Sequence, residues 1–344
     1  MNVYITNYPE EQAKVAAERL MRLYDNSDKR HSLVSDPDLA DIILVGGHGN
    51  EITEQEYLTL VMDHDILSRF PNKCFTFCIR DIPFALNRGI YESPLNTLWE
   101  FKRTRTGAYG PETFNPEVRR HEFAEGDYSG KKYLFSFIGR ASHPIRSQLV
   151  SLNLKRQDAI LEDSSNFSFW KCRDDTERTK REKHYYEVLK HSKFCLCPRG
   201  FGTSSIRLFE SMSMGISPII ISDDWIAPKG PIWNEFSIIV NERDIKDLEQ
   251  IASSYEPRYI EMGKLARKAY EDYFSDSRYF NYVVDNCLEL KREHLVPESL
   301  YWRLRFLLPL SLRLVSIYRR RRHGLIRRLK GLRFPSVKSI TSRD

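Results

Sequence analysis

The chain has 344 residues, 41% of them hydrophobic and 12% aromatic, which is enough for two cored domains and excludes a disordered chain. Net charge is +6 but unevenly spread: 13 of the 53 Lys+Arg and one of the 47 Asp+Glu lie from Ser299 onward, leaving 40 basic against 46 acidic residues in a mildly acidic body. Six cysteines occur with no Cys-x-x-Cys pair and no Cys/His cluster of zinc spacing, so a disulfide framework and a structural zinc site are excluded and all six are expected to be reduced.

Residues 1 to about 125 alternate strand and helix signals. Val3-Tyr4-Ile5 reads as a strand and Glu11 to Leu23 has helical spacing. Asp41 to Val45 is a buried strand ending at Gly46-Gly47, and Lys73 to Ile79 is another. Glu54 to Phe70 reads as one helix. Ala108 to Gly130 is rich in Gly, Pro, Glu and Asn and carries no clear element, so it reads as a boundary or a long loop. From 131 to 292 the alternation resumes. Strands are predicted at Tyr133–Ile138, Phe194–Cys197, Ser217–Ile221 and Ser237–Val240. Helices are predicted near Pro144–Leu152, Lys183–His191, Ser204–Met214, Asp244–Ile251, Arg258–Phe274 and Tyr279–Arg292. Such alternation predicts parallel sheets with helices on their faces. Residues 293–344 form a separate basic tail.

The segment Cys197 to Glu210 carries the chemistry. It reads Cys-Pro-Arg-Gly-Phe-Gly-Thr-Ser-Ser-Ile-Arg-Leu-Phe-Glu, between a short apolar strand and an amphipathic helix. A glycine-containing turn at that place gathers free N–H groups and the positive end of a helix dipole. Gly200 and Gly202 would let the backbone approach a bulky anion. Arg199 and Arg207 supply fork-shaped donors for phosphate oxygens. Glu210, one turn beyond Arg207, would accept from ribose hydroxyls. Ser204 and Ser205 are N-cap residues, phosphate ligands, or both. A salt-bridged helix start is the plainer reading of Arg199, Arg207 and Glu210.

Here the sequence resembles a family. Cys197 to Pro218, with Gly215, Pro218 to Asp223, Trp233, Phe236 to Val240 and Asp244-Ile245, is similar to the core motif of exostosin-type glycosyltransferases of family 47. Phe135 to Gly139 followed by Arg146 resembles that family's earlier strand–Gly–Arg element. The resemblance covers residues 133 to 248. It implies a GT-B fold: two Rossmann-like domains facing a cleft, 1–130 on the acceptor side and 131–292 on the donor side. It also implies an inverting transferase using a nucleoside diphosphate sugar, with UDP expected. Arg199, Gly200, Gly202, Ser204, Ser205, Arg207, Glu210, Gly139 and Arg146 would hold that donor, and a glycan or lipid-linked hydroxyl would be the acceptor.

Inversion needs a general base from the N-terminal half. Asp81, after the strand at Cys74–Arg80, and His48, after Val45-Gly46-Gly47, are the alternatives, with Asp81 preferred. A capping Asp and a loop His are their plainer readings. Asp36-Pro37-Asp38 reads as a turn. Asp63-His64-Asp65 lies within a predicted helix, where residues i and i+2 do not share a face. Neither pair, nor Asp223-Asp224, is expected to bind a metal, and no cofactor is expected beyond the sugar nucleotide. The N-terminus enters a strand directly, unlike the anchored eukaryotic members, which points to a cytoplasmic, bacterial-type enzyme. The tail mixes leucines and aromatics with arginines before Arg319 to Arg322. It reads as an interfacial element on anionic lipid at the inner membrane face, or as a helix packed on the body. Nucleic acid is not an expected partner. The rivals are a non-catalytic sugar-nucleotide or glycan binder and an adaptor whose main functional element is the tail.

Overall fold

The structure, a computed structural model, describes residues 1–47, 52–81, 85–94, 103–167, 172, 174–293 and 296–304. His48 and nearly all of the basic tail lie outside the described residues.

The first sheet is assembled from β1 (Asn2–Asn7), β2 (Ser32–Leu33), β3 (Ile42–Gly46), β4 (Cys74–Cys78), β5 (Gly89–Tyr91) and β6 (Thr104–Thr106). All six are parallel, in the order β2-β1-β3-β4-β5-β6. Every residue of β3 and of β4 is buried, as a sheet covered on both faces requires. Its described helices are α1 (Glu11–Asn26), α2 (Glu54–Asp63) and α3 (Asp65–Arg69). The single helix predicted over 54–70 is thus broken at His64. That residue has extended backbone (φ −76°, ψ 111°), ends α2 and caps α3, its ring nitrogen Nδ1 accepting from Leu67 N at 3.4 Å.

The second half begins with α4 (Pro116–Arg120), inside the stretch where the sequence shows no element. It continues with β7 (Tyr133–Gly139), α5 (Pro144–Val150), β8 (Ala159–Asp163), α6 (Asp175–Lys190), β9 (Ser192–Pro198), α7 (Ile206–Ser213), β10 (Ser217–Ile221), α8 (Trp233–Phe236) and β11 (Ile238–Val240). Helices α9 (Leu248–Tyr255), α10 (Tyr259–Ala269) and α11 (Asp276–Glu293) follow. The second sheet is also all parallel, in the order β11-β10-β9-β7-β8.

Two parallel sheets with helical cover make the two Rossmann-like halves of a GT-B protein. Helix α11 returns to the first sheet, packing on α1, β3 and β5. One apolar core runs from Leu20, Phe75 and Phe77 through Phe209, Phe274 and Phe280 to Cys197 and Ile220, so the halves share a core and Met1–Leu295 is one compact body. A second core, with Phe135, Leu196 and Ile219, fills the far face of the second sheet. The reason for the return is physical. Tyr279, Phe280, Val283, Val284, Cys287 and Leu290 give α11 an apolar stripe that must be covered. Residues 296–344 form a separate unit, whose described part holds α12 (Glu298–Arg303). Among the described residues no helix is long and apolar enough to cross a membrane. None of the six cysteines is in a disulfide.

Candidate functional site

The turn from β9 to α7 lies at the carboxyl edge of the second sheet. Arg199 N still donates to Ile221 O at 3.0 Å, so the chain leaves the sheet there. Ser205 is the N-cap of α7, with extended backbone (φ −139°, ψ 137°) but no capping bond from its side chain. The hydroxyls of Ser204 and Ser205 are both buried and without a hydrogen-bond partner among the described residues. Buried hydroxyls left in this way are uncommon, and two at the positive end of one helix mark a place suited to an anion.

The turn is held from two sides. Arg146, buried on α5, donates from Nε to Arg199 O at 2.9 Å and from Nη2 to Pro198 O at 3.0 Å. Burial, and then the charge of Arg207, pull its guanidinium down to about 9. A side chain at Gly200 would put its Cβ 3.1 Å from Arg146 Nη2. On the other side stands Ser93, just past β5 of the first sheet. Its hydroxyl accepts from Thr203 N at 2.7 Å and Ser204 N at 3.2 Å, and Thr203 Oγ1 donates to Pro94 O at 3.0 Å. A Cβ on Gly202 would collide with the Ser93 hydroxyl and stand 2.7 Å from Asp81 O. The close approach that Gly202 permits in this structure is to the other half of the protein.

Arg199 reaches Asp224 at 2.8 Å and lies 4.0 Å from Glu242. Arg207 donates from Nε and Nη2 to Ile138 O, at 3.1 and 2.6 Å, and its guanidinium lies over the rings of Phe137 and Tyr185. Gly139, at the end of β7, gives that guanidinium room: a Cβ there would meet Arg207 Nη2 at 2.5 Å. Glu210 is buried, with Oε1 accepting from Asn115 N and Oε2 from Tyr185 OH, each at 2.6 Å. Both carboxylate oxygens tie α7 to α4 and α6, so in this structure Glu210 braces the helix from within. Burial pushes its carboxyl up, and the bonds from Asn115 and Tyr185 oppose that.

Asp81 is half-buried beside this turn, where Tyr109 OH donates to its Oδ1 at 2.8 Å. Parallel strands bring their carboxyl ends to one edge, so the exits of β4 and β5 both meet the β9–α7 turn. His143 is a residue that the sequence reading missed. It caps α5, with Nδ1 accepting from Ile145 N at 3.3 Å. Burial first, then the charges of Arg199 and Arg146, push it down to about 4, so it stays neutral at ordinary pH. Ser93 and Tyr109 were missed as well. The three-residue strand β5 and the loop after β6 carry no local pattern that marks them. Among the described residues no cluster of His, Cys, Asp and Glu is arranged to hold a metal ion.

The fold and this edge define an α/β protein of the GT-B class with a phosphate-type turn at the carboxyl end of its second sheet. Comparison with known proteins makes this more specific. The exostosin GT47 domain model matches residues 99–255 of the chain. The Caenorhabditis elegans exostosin-1 homolog is 33% identical over 174 residues, 46% of this chain and 44% of the relative. A probable beta-1,4-xylosyltransferase of Arabidopsis thaliana is 36% identical over 84 residues, 24% of this chain and 20% of its own. The chain thus spans less than half the length of these curated relatives. Solved structures that align with it include Anabaena HepE in complex with UDP, at 8% identity and a TM-score of 0.38, covering 84% of this chain and 100% of that one. Acinetobacter baumannii MurG aligns at 10% identity and a TM-score of 0.37, covering 84% and 99%.

Proposed function

We propose that the protein is an inverting glycosyltransferase that moves a sugar from a UDP-sugar to a hydroxyl of a glycan or lipid-linked acceptor. The observation that carries this reading is the pair of buried, unpartnered hydroxyls of Ser204 and Ser205 at the start of α7, on a turn held by Arg146 and next to Arg199. The exostosin domain and the transferase names of its relatives give the reaction class. In this reading the Ser204 and Ser205 hydroxyls and the α7 N-terminus donate to diphosphate oxygens. Arg199 exchanges Asp224 for the diphosphate and meets the charge that develops on it. Arg207 and Gly139 shape the floor of the site. Asp81 takes the proton of the acceptor hydroxyl as its oxygen bonds to the anomeric carbon. The bond from that carbon to phosphate breaks on the opposite face, and its electron pair leaves with UDP. No step requires a cation. The basic tail would hold the enzyme on anionic lipid at the cytoplasmic face of the membrane, beside lipid-linked acceptors.

The test is turnover of UDP-sugars, UDP-xylose and UDP-glucuronic acid first, by the wild type and by Arg199→Ala. Losing this contact to the leaving group should lower the rate about a hundredfold or more. Undiminished turnover in Arg199→Ala would refute the assignment. UDP binding without any turnover by the wild type would favour a non-catalytic binder.

A further inference from the structure

Tyr109 lies between the two halves of the site and is absent from the donor motif. It follows β6, and its ring is buried edge-on against Phe209 of α7, with centroids 6.4 Å apart and planes at 61°. Its hydroxyl donates to Asp81 Oδ1 at 2.8 Å. The same aspartate presents its backbone carbonyl to Gly202 of the donor turn. Tyr109 is therefore a strut from the donor helix to the carboxylate at the end of β4. We infer that Tyr109 is a positioning residue for the base: it takes one oxygen of Asp81 so that the other faces the acceptor hydroxyl. This rests on the reading of Asp81 as the general base given above.

The chemistry supports a fixed donor role for the phenol. Burial, and then the charges of Asp81 and Glu92, push the Tyr109 hydroxyl well above its ordinary range, so it keeps its proton and always donates. A carboxylate has two equivalent oxygens and a broad, roughly two-fold torsion about its last bond. A single strong donor on Oδ1 removes that freedom and leaves Oδ2 as the proton acceptor. In the transfer step the acceptor O–H proton passes to Oδ2, the acceptor oxygen bonds to the anomeric carbon, and UDP departs with the electron pair. The phenol proton stays where it is. Arg146 and Glu92 also act electrostatically with Asp81. Neither has a hydrogen bond to its carboxylate among the described residues, whereas Tyr109 does.

The experiment compares the full-length wild type, Tyr109→Phe, Asp81→Asn and the double variant. Rates of UDP-xylose and UDP-glucuronic acid hydrolysis and affinity for UDP are measured for each. Tyr109→Phe keeps the ring that packs on Phe209. It should lower kcat about tenfold and leave UDP affinity within about twofold, while Asp81→Asn lowers kcat on the order of a thousandfold. A residue that acts through Asp81 has nothing left to act on once Asp81 is gone. The double variant should therefore be no slower than Asp81→Asn. Wild-type kcat in Tyr109→Phe, or a double variant slowed by the product of the two single effects, would overturn the inference and leave Tyr109 a packing residue. Wild-type turnover in Asp81→Asn would instead remove the base reading, and this inference with it.

Discussion

Replacing Ser93 with alanine tests the contact that joins the two halves of the site. In the native protein this one hydroxyl, on a fully buried residue, accepts from Thr203 N at 2.7 Å and from Ser204 N at 3.2 Å. Alanine removes the acceptor and leaves little else changed, because the lost volume is a single oxygen. Two buried N–H groups then lack an acceptor. An orphaned buried donor costs about 1–3 kcal/mol, and the longer Ser204 bond belongs at the low end, so the total should be roughly 2–3 kcal/mol. The loss is local, because Arg146 still holds Pro198 O and Arg199 O and Thr203 Oγ1 still reaches Pro94 O. It should therefore appear as easier opening of the turn. Amide exchange at Thr203 and Ser204 should quicken by about 30- to 150-fold, which is that free energy expressed as an equilibrium. UDP affinity should fall as well, since a loosened turn must be ordered on binding. Hydrogen exchange by mass spectrometry, on peptides covering 199–209, reads this directly. Wild-type exchange at these two amides in Ser93→Ala would show that the contact does not hold the turn.

Three further outcomes follow from the geometry. Gly202→Ala would push a Cβ to 2.7 Å from the Asp81 carbonyl, a backbone atom with little freedom to move, so stability should drop by about 1–3 kcal/mol with loss of UDP binding; a variant that melts and binds like the wild type would refute this. His143 is held down to about 4 by burial and by Arg199 and Arg146, whereas in the unfolded chain it takes up its proton near 6.5. Between those values the unfolded state binds more protons, so this group's contribution to stability is present above that window and is lost as pH falls through it. His143→Asn should therefore flatten the decline of the urea midpoint between pH 6.5 and 4, and an unchanged slope would count against it. Finally, truncation before Ser299 removes 13 basic residues and one acidic one. Each basic residue contributes about 1 kcal/mol at most near anionic lipid. Co-sedimentation with phosphatidylserine-containing vesicles should be strong at low salt, weak at high salt and lost on truncation, whereas equally poor sedimentation of both forms would mean the tail is no membrane element.

How much of this was legible beforehand varies with how local the signal is. The strands β3, β4, β9 and β10 declare themselves as short apolar runs, and α5 and α7 by their spacing and by the proline or serine at their starts. The ordered elements from Phe135 to Asp244 carry the resemblance to the exostosin domain, because each is a residue type at a set distance along one chain. By contrast, β2, β5, β6 and β8 were not anticipated. They are two to five residues long, and none of the four is buried along its whole length except β5, so no periodic pattern has room to develop.

The site divides along the same line. The sequence alone determined the class of fold, the turn at Pro198–Ser205 and the arginines around it, since all depend on residues within one strand–turn–helix unit or on a fixed spacing from it. It could not determine which way each side chain would face. Glu210 has the spacing of a ligand, yet Tyr185 and Asn115, 25 and 95 residues away along the chain, claim its two oxygens. Gly202 has the look of an anion contact, yet Ser93, 110 residues from its partner Thr203, comes against it. Tyr109 meets Asp81 only because β4 and β6 end at the same sheet edge. Contacts of this kind are decided by tertiary structure. A buried polar group must find a partner, and in a parallel α/β protein the partners at the strands' carboxyl ends come from segments far apart in sequence.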